Sequence, residues 1–201
     1  MGTMEPQSRL KGMLLAAQER PTEQIPAVVE SLQRLGVNVE LKGVDTVEEL
    51  GPATLVPGVR MKGLVHISKG HIDTFEQERV GPNGKFGKGT YFAAGALTGE
   101  TYDLLNQPGN VLHGVGFEGS VLFVDRDQVS GLAAKLREQV GVPEPAYKTS
   151  IANADITGLL EQSGVPVDAV MIYMDQERTA AEVAVLPAAT AQIDVLERTV
   201  L

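Results

Sequence analysis

The chain contains no cysteine among its 201 residues, which excludes disulfide bonds, thiolate catalysis and cysteine-ligated zinc. This absence is compatible with a reducing compartment. No apolar run approaches the roughly 20 residues that a membrane-spanning helix needs, and the apolar stretch 13–17 is too short for the core of a signal peptide. We therefore expect neither a membrane partner nor a cleaved secretion signal.

Positive charge is scarce as well. The chain has 17 Lys and Arg residues against 26 Asp and Glu residues, which gives a net charge of −9. Because phosphate contacts depend on Lys and Arg, an acidic chain is a poor general binder of nucleic acid, although a local basic patch would suffice. Metal-ligand spacing is missing too. The histidines His66, His71 and His113 follow no metal-binding pattern, so we expect no metal site.

The N-terminal part carries mainly helical patterns. They predict helices at 8–20, at 25–35 and, after an N-cap at Asp45, through Leu50, with one strand at 37–41. Proline and glycine then interrupt the sequence between residues 51 and 58. We place a soft boundary there, between a helical N-terminal extension (1–56) and a functional domain (57–201).

The functional domain is richer in strand patterns. Apolar runs predict strands at 62–68, 89–93, 120–124, 169–174, 182–186 and 192–197. Helical patterns lie between them at 98–105, 129–139 and 152–163. Because strands and helices do not alternate regularly, we expect an α+β fold with mixed or antiparallel sheets rather than a doubly wound fold.

The glycine-rich segment 81–90 is not a phosphate-binding P-loop. Five residues, instead of four, separate Gly81 from Gly87, and Gly89 stands after Lys88 where a P-loop has Ser or Thr. The segment also lacks the glycine order of a dinucleotide fingerprint. A hydrolase triad of the Gly-x-Ser-x-Gly type has no support either.

One ordered set of residues indicates chemistry. An apolar strand ends in His-x-Ser, and after a polar loop a glycine-flanked segment leads into Tyr-Phe. A second tyrosine follows after ten intervening residues, and a glutamate opens a late strand. In chain order the set is His66, Ile67, Ser68, Gly87, Gly89, Tyr91, Phe92, Tyr102 and Glu182.

This order resembles the ADP-ribosyltransferase superfamily, in the His-Tyr-Glu branch typified by diphtheria toxin and the poly(ADP-ribose) polymerases. The resemblance extends from about Val65 to the C-terminus and is strongest over residues 86–102. It implies a split β-sandwich with flanking helices. Two positions depart from the pattern. Ile67 stands where many relatives have glycine, and Ala180 stands where arginine-specific relatives have a second glutamate, which disfavours arginine as the acceptor.

The resemblance implies that NAD is the substrate and that two aromatic rings hold its nicotinamide. Tyr91 and Tyr102 would sandwich the nicotinamide ring by stacking. Gly87 and Gly89 would let the backbone approach the ligand closely. Phe92 belongs to the same motif and counts with the NAD-binding residues.

Around the ribose, the resemblance implies three further roles. His66 would hydrogen-bond a ribose hydroxyl, while the backbone at Ile67 and the side chain of Ser68 would support the nicotinamide end. Breaking the bond between nicotinamide and ribose develops positive charge on the sugar. The carboxylate of Glu182 would stabilise that charge. The predicted catalytic residues are therefore Glu182, His66 and Tyr91.

A local excess of positive charge is consistent with a pyrophosphate ligand. Residues 57–90 contain six Lys or Arg residues and three acidic residues, in a chain with a net charge of −9. Such a reversal can steer an anion towards a site. The six are Arg60, Lys62, Lys69, Arg79, Lys85 and Lys88.

Each residue of the set also has a purely structural interpretation. His66 taken alone is typical of a buried histidine at a strand end, and Tyr91 of a core aromatic. The glycine-rich segment is typical of a hairpin loop. Glu182 could be a solvated residue at a strand start, in which case Glu177 or Asp175 would be the alternative carboxylate.

Several functions remain open at this level. The first is transfer of ADP-ribose from NAD to a macromolecule, protein or nucleic acid, by a bacterial toxin or effector domain that acts in the cytosol. A toxin of this kind would also imply a cognate inhibitor protein as a partner. The alternatives are an NAD glycohydrolase, a catalytically silent binding module and a structural domain of a larger assembly.

Overall fold

The structure is a computed structural model that describes residues 19–21, 25–44, 46–77, 81–96, 100–143 and 154–201. These residues form ten strands and four α-helices. The strands are β1 (Glu19–Pro21), β2 (Asn38–Leu41), β3 (Thr46–Leu50), β4 (Ala53–Ser68), β5 (Gly81–Gly84), β6 (Gly87–Gly95), β7 (Val111–Asp125), β8 (Ala169–Tyr173), β9 (Ala180–Val185) and β10 (Ile193–Val200). The helices are α1 (Ile25–Arg34), α2 (Glu100–Leu105), α3 (Val129–Val140) and α4 (Ile156–Ser163).

Five of the strands close into a mixed β-barrel. Their order is β4-β6-β9-β8-β7, and β7 pairs back onto β4 to complete the circle. Neighbours are antiparallel except for β7 and β8, which are parallel. This closure contradicts the split β-sandwich that the family resemblance implied. The α+β content is retained, but the sheet has no split.

The length of β4 and β7 explains the closure. They have 16 and 15 residues, against about 7 and 5 for the strands expected at 62–68 and 120–124, so each can pair with neighbours on both sides. The β4–β7 ladder has a register shift between Val56 and Val59, where Pro57 and Gly58 lie. Proline and glycine are tolerated at such bulges, which bend a strand. Pro57 and Gly58, which suggested an interruption, therefore bend one continuous strand, β4.

The barrel encloses the larger of two apolar cores. Side chains alternate along each strand, and one set points inward to form a fully buried cluster that includes Met61, Leu64, Phe92, Phe117, Met171 and Val183. The opposite set on β7 and β8 packs outward against α3 and α4, and includes Leu122, Ile172, Leu132 and Leu160. None of the described helices is long and apolar enough to cross a membrane.

The N-terminal part differs most from expectation. Helix α1 and strand β2 confirm the patterns at 25–35 and 37–41. The helix predicted after Asp45 is wrong, because 46–50 is β3, which pairs with β4. The helix at 8–20 falls outside the described residues except at its end, where Glu19 begins β1.

The boundary expected between residues 56 and 57 falls inside β4. Strands β2 and β3 both hydrogen-bond to β4, on either side of that point. The described part of the N-terminal region therefore contains more strand than helix, and its strands belong to the same sheet as the functional region. Proline and glycine misled the sequence prediction here because they mark a bulge instead of a linker.

Candidate functional site

Three neighbouring strands of the barrel wall carry the predicted catalytic residues. His66 lies on β4, Tyr91 on β6 and Glu182 on β9, and these strands are adjacent in the sheet. Val65 pairs with Ala93, and Ala93 pairs with Glu182, so one cross-strand row passes through all three strands. The fold thus brings residues from distant parts of the sequence close together in the wall.

The side chains nevertheless divide between two faces of this wall. Residues that pair across strands share a face, and successive residues of a strand alternate. Val65, Ala93 and Glu182 share the outer face, and Tyr91 lies on the same side. His66 lies on the inner face, where its ring contacts Phe92 at a centroid distance of 5.8 Å. The structure therefore unites Tyr91 with Glu182 and separates both side chains from that of His66.

The inner face carries a cavity of about 540 Å³ beside His66. Phe75 stands edge-on to the His66 ring at 5.3 Å and to Phe92 at the same distance. The residues that line the cavity are His66, His71, Ile72, Asp73, Thr74, Phe75, Glu76, Gly89, Thr90 and Tyr91. Its size is typical of small-molecule sites.

His66 is held in one orientation at this cavity. Its Nδ1 donates a hydrogen bond to the Tyr91 carbonyl oxygen at 2.9 Å, which leaves Nε2 as the acceptor nitrogen. Burial lowers the pKa of His66, and the proximity of His113 lowers it further. A neutral imidazole of this kind can accept a hydrogen bond from a ligand hydroxyl.

The outer face is filled by protein. The Tyr91 hydroxyl donates to the Gly87 carbonyl oxygen at 2.6 Å and accepts the Phe86 N–H at 2.9 Å. Burial raises the pKa of this hydroxyl to about 12, and the Glu182 carboxylate acts in the same direction. The phenol is thus un-ionised at neutral pH and fastens the turn that precedes β6. Its position is that of a structural residue, and its ring packs against the outer apolar core.

Glu182 is paired with a cation instead of facing the cavity. The Lys85 ammonium lies 3.0 Å from the Glu182 carboxylate, whose side chain is 26% exposed. Glu182 is absent from the residues that line the cavity beside His66. Asp175, the alternative carboxylate, accepts the backbone N–H groups of Thr179 and Ala180 and so shapes the turn into β9. The other alternative, Glu177, is exposed.

The two predicted glycines allow close packing within the protein. Gly87 has a φ of +113°, and a Cβ there would overlap the side chains of Thr157 and Asp155 at the start of α4. A Cβ at Gly89 would lie 2.9 Å from the carbonyl oxygen of Val185 on β9. At Gly87 the close approach is to α4 rather than to a ligand, whereas Gly89 also borders the cavity.

The remaining predicted residues have mixed positions. Ile67 is buried on the face opposite to His66, and the Ser68 hydroxyl donates to the Gly70 carbonyl oxygen at 2.5 Å. Phe92 is buried in the barrel core. Tyr102 lies within α2, but its side chain falls outside the described part of the chain, and so does the stacking predicted between it and Tyr91.

His113 and Arg198 contact the cavity wall and were not predicted from sequence. His113 pairs with His66 across β4 and β7, with ring centroids 6.1 Å apart. Its Nε2 accepts the N–H of Ile72 at 3.0 Å, while Arg198 on β10 donates to the Ile72 carbonyl oxygen. The recurrence of Val111, Val115 and Phe117 at every second position around His113 could have indicated an inward His113. Arg198 had no signal, because its role depends on a partner 126 residues away.

A second cavity, of about 630 Å³, lies at the carboxyl ends of β7 and β8. Arg178 forms a two-point hydrogen bond with Asp125, at 3.0 and 2.9 Å. Its guanidinium also stacks over Tyr173, 4.5 Å from the ring centroid. Arg178 adopts a φ of +55°, a conformation that side-chain-bearing residues rarely take. These contacts satisfy both charges within the protein.

Comparisons with protein-family models, with curated proteins and with solved structures give no match to this chain. Within the described residues, no group of three His, Asp or Glu side chains is placed to hold a metal ion. Functional inference therefore depends on the cavity beside His66 and on the chemistry of the residues around it.

Proposed function

We propose that the chain binds NAD in the cavity beside His66 and transfers its ADP-ribose to a macromolecular acceptor. In this reaction the bond between ribose C1′ and the nicotinamide nitrogen breaks, and an acceptor nucleophile forms the new bond to C1′. Nicotinamide leaves as a neutral molecule with the electron pair of the broken bond, and the acceptor loses its proton to solvent. The observation that carries the proposal is a cavity of ligand size lined by His66 and Tyr91, on strands adjacent to the one that carries Glu182.

The inner face supports the binding step. The cavity combines the apolar ring of Phe75 with an imidazole acceptor at His66, and Gly89, Thr90 and Tyr91 line it as well. A few directed polar groups in an apolar cavity are characteristic of cofactor and substrate sites. No described Lys or Arg lines the cavity, so the excess of these residues in 57–90 would attract the pyrophosphate from a distance.

The chemical step would depend on Glu182. A carboxylate near the ribose would stabilise its developing positive charge. In the described structure that carboxylate is on the outer face and paired with Lys85. The reaction therefore requires the pair to separate and the Glu182 carboxylate to come within reach of a ribose beside Tyr91, which lies on the outer face and also lines the cavity.

The position of Glu182 away from the cavity favours a second candidate, a module that binds NAD without cleaving it. A carboxylate that is neutralised by Lys85 and absent from the cavity lining cannot act on a ligand confined to that cavity. Such a protein would bind NAD and return it intact. The two candidates share the binding site and differ in whether nicotinamide is released.

Turnover and binding of NAD test both candidates together. Nicotinamide release is measured for the wild type, for Glu182→Gln and for the control Glu161→Gln, which removes an exposed carboxylate on α4. Loss of one preorganised electrostatic group typically costs about 10²–10³-fold in rate. We expect that loss in Glu182→Gln and wild-type turnover in the control. Mass spectrometry of a treated cell extract then locates the added ADP-ribose.

Each outcome has a distinct meaning. Equal turnover by all three proteins would remove Glu182 from its role. Release of free ADP-ribose without a labelled macromolecule would identify a glycohydrolase. Calorimetric binding of NAD without turnover would support the binding module, and absence of both binding and turnover would refute both candidates.

A further inference from the structure

A row of three polar side chains crosses the strands beneath the cavity. His66 on β4 pairs with His113 on β7, and His113 pairs with Arg198 on β10. Because residues that pair across strands share a face, all three project to the same side of the sheet. That side is covered by residues 71–76, which we call the wall segment because all six line the cavity.

The row holds the wall segment by its backbone. His113 Nε2 accepts the Ile72 N–H at 3.0 Å, and Arg198 Nε donates to the Ile72 carbonyl oxygen at 3.0 Å. A second nitrogen of Arg198 donates to the Asp73 carboxylate at 2.8 Å. Both backbone polar groups of Ile72 are therefore fixed by side chains from β7 and β10.

Because Ile72 is fixed, the aromatic ring of Phe75 in the cavity is held in position as well. Phe75, three residues further along, lies edge-on to both His66 and Phe92 at 5.3 Å. The short path from Ile72 to Phe75 allows little independent movement. If the wall segment were released at Ile72, the Phe75 ring would no longer be held against His66.

The hydrogen bond at His113 depends on a neutral imidazole. Nε2 can accept the Ile72 N–H only while it carries no proton, so protonation would bring two donors face to face. His113 is fully buried, and its Nδ1 has no hydrogen-bond partner among the described residues. The ionisable groups around it are His66 on β4, His71 and Asp73 on the wall segment, and Arg198 on β10. Burial lowers the pKa of His113, and the charges of Arg198 and His71 lower it further.

We propose that His113 and Arg198 are positioning residues that fasten the wall segment over the cavity, and that protonation of His113 releases it. The identity of the ligand, NAD, rests on the proposed function. The fastening itself does not. A ligand that needs the ordered wall segment would then bind less tightly once the pH falls far enough below 6.5 to protonate His113, because burial lowers the pKa of this ring.

Hydrogen exchange of the wall segment tests the fastening without reference to activity. Exchange of peptides spanning residues 69–77 is followed by mass spectrometry at pH 7.5 and 5.5, corrected for the intrinsic effect of pH. In the wild type we expect the protection of Ile72 to fall at the lower pH. His113→Gln offers a carbonyl oxygen in place of Nε2 and cannot titrate, so its protection should be equal at both pH values.

Arg198→Gln should reduce protection at both pH values, and Arg198→Lys should restore part of it. His71→Gln is the matched control, because it removes an exposed histidine of the same segment and should keep the pH dependence of the wild type. Protection in the wild type that does not change with pH, or a pH dependence that persists in His113→Gln, would overturn the proposal.

Calorimetry with NAD at the same two pH values separates this inference from the proposed function. Weaker binding at pH 5.5 in the wild type, but not in His113→Gln, supports both. If NAD does not bind while the exchange results hold, the proposed function fails and the fastening stands. If NAD binds equally at both pH values although the wall segment is released, the wall segment does not position the ligand and that part of the proposal is wrong.

Discussion

The two faces of the β4-β6-β9 wall use neighbouring residues in opposite ways. On the inner face, His66 and Phe75 border an open cavity. On the outer face, Tyr91 is tied by its hydroxyl to the turn before β6, and Gly87 is pressed against α4. One face leaves room for a ligand, whereas the other is closed by the protein itself.

The contrast teaches that adjacency along a motif does not mean adjacency in a site. Tyr91 and Phe92 are consecutive, yet one packs with the outer core and the other lies in the barrel interior. The strand period of two residues separates them. Four predictions test this division between a packed face and an open one.

The largest effect is expected at Gly87 on the packed face. Gly87→Ala introduces a Cβ at φ +113° against Thr157 and Asp155, so overpacking and backbone strain should lower the free energy of unfolding by about 3 kcal/mol. Chemical denaturation measures it. The control Gly131→Ala adds a Cβ with no neighbour within 4 Å on α3 and should increase stability by about 1 kcal/mol. Equal stability of both variants would show that Gly87 is not packed as described.

Tyr91→Phe should have the next largest effect. It removes two hydrogen bonds of the hydroxyl and leaves the Phe86 N–H without its acceptor, which typically costs about 1–3 kcal/mol. The ring remains, so any stacking on a ligand would persist. Thermal unfolding and NAD titration distinguish the two roles. Unchanged stability with weakened binding would move Tyr91 from the packed face to the site.

On the open face, the histidines His66 and His113 should make the free energy of unfolding depend on pH. Burial lowers the pKa values of His66 and His113 in the folded chain, so the folded state binds fewer protons than the unfolded state. Their contribution is complete above the unfolded pKa of about 6.5 and is lost as the pH falls below it. Unfolding free energies at pH 7.5 and 5.5 should therefore differ. The difference should shrink in His66→Gln, and an unchanged difference there would contradict the burial of this ring.

The smallest effect is expected at the Lys85–Glu182 pair. Both side chains are partly exposed, at 39% and 26%, so Lys85→Gln should change stability by about 0.5 kcal/mol and less at high salt. Lys88→Gln, at an exposed position of the same hairpin, is the control. Raised NAD turnover in Lys85→Gln alone would indicate that the pair restrains Glu182. A loss of stability above 2 kcal/mol would show that the pair is more buried than the structure places it.

Local patterns predicted much of the secondary structure. Helices α1, α2 and α3 and the strands β6, β8, β9 and β10 lie close to their expected positions. The predictions fail where a local sequence pattern is compatible with two different structures. Pro57 and Gly58 mark a bulge in β4, and residues 46–50 pair with that strand although they follow a residue suited to capping a helix.

For the candidate site, the sequence predicted His66, which borders the cavity, but not the residues that surround it. An apolar strand ending in histidine is visible locally, whereas the contacts of Ile72 with His113 and Arg198 join segments 41 and 126 residues apart. No spacing rule covers such distances. Likewise, the order of His66, Tyr91 and Glu182 predicted nearby strands but not the faces to which their side chains point.

The sequence by itself determined where apolar periodicity builds helices and strands, and it excluded thiol chemistry and helical membrane spans. Only the tertiary structure decided that β4 and β7 close a barrel and that the wall has a packed face and an open one. The physical reason is that hydrogen-bond register is set between strands. A side chain's face depends on which residue lies opposite it, and no single segment carries that information.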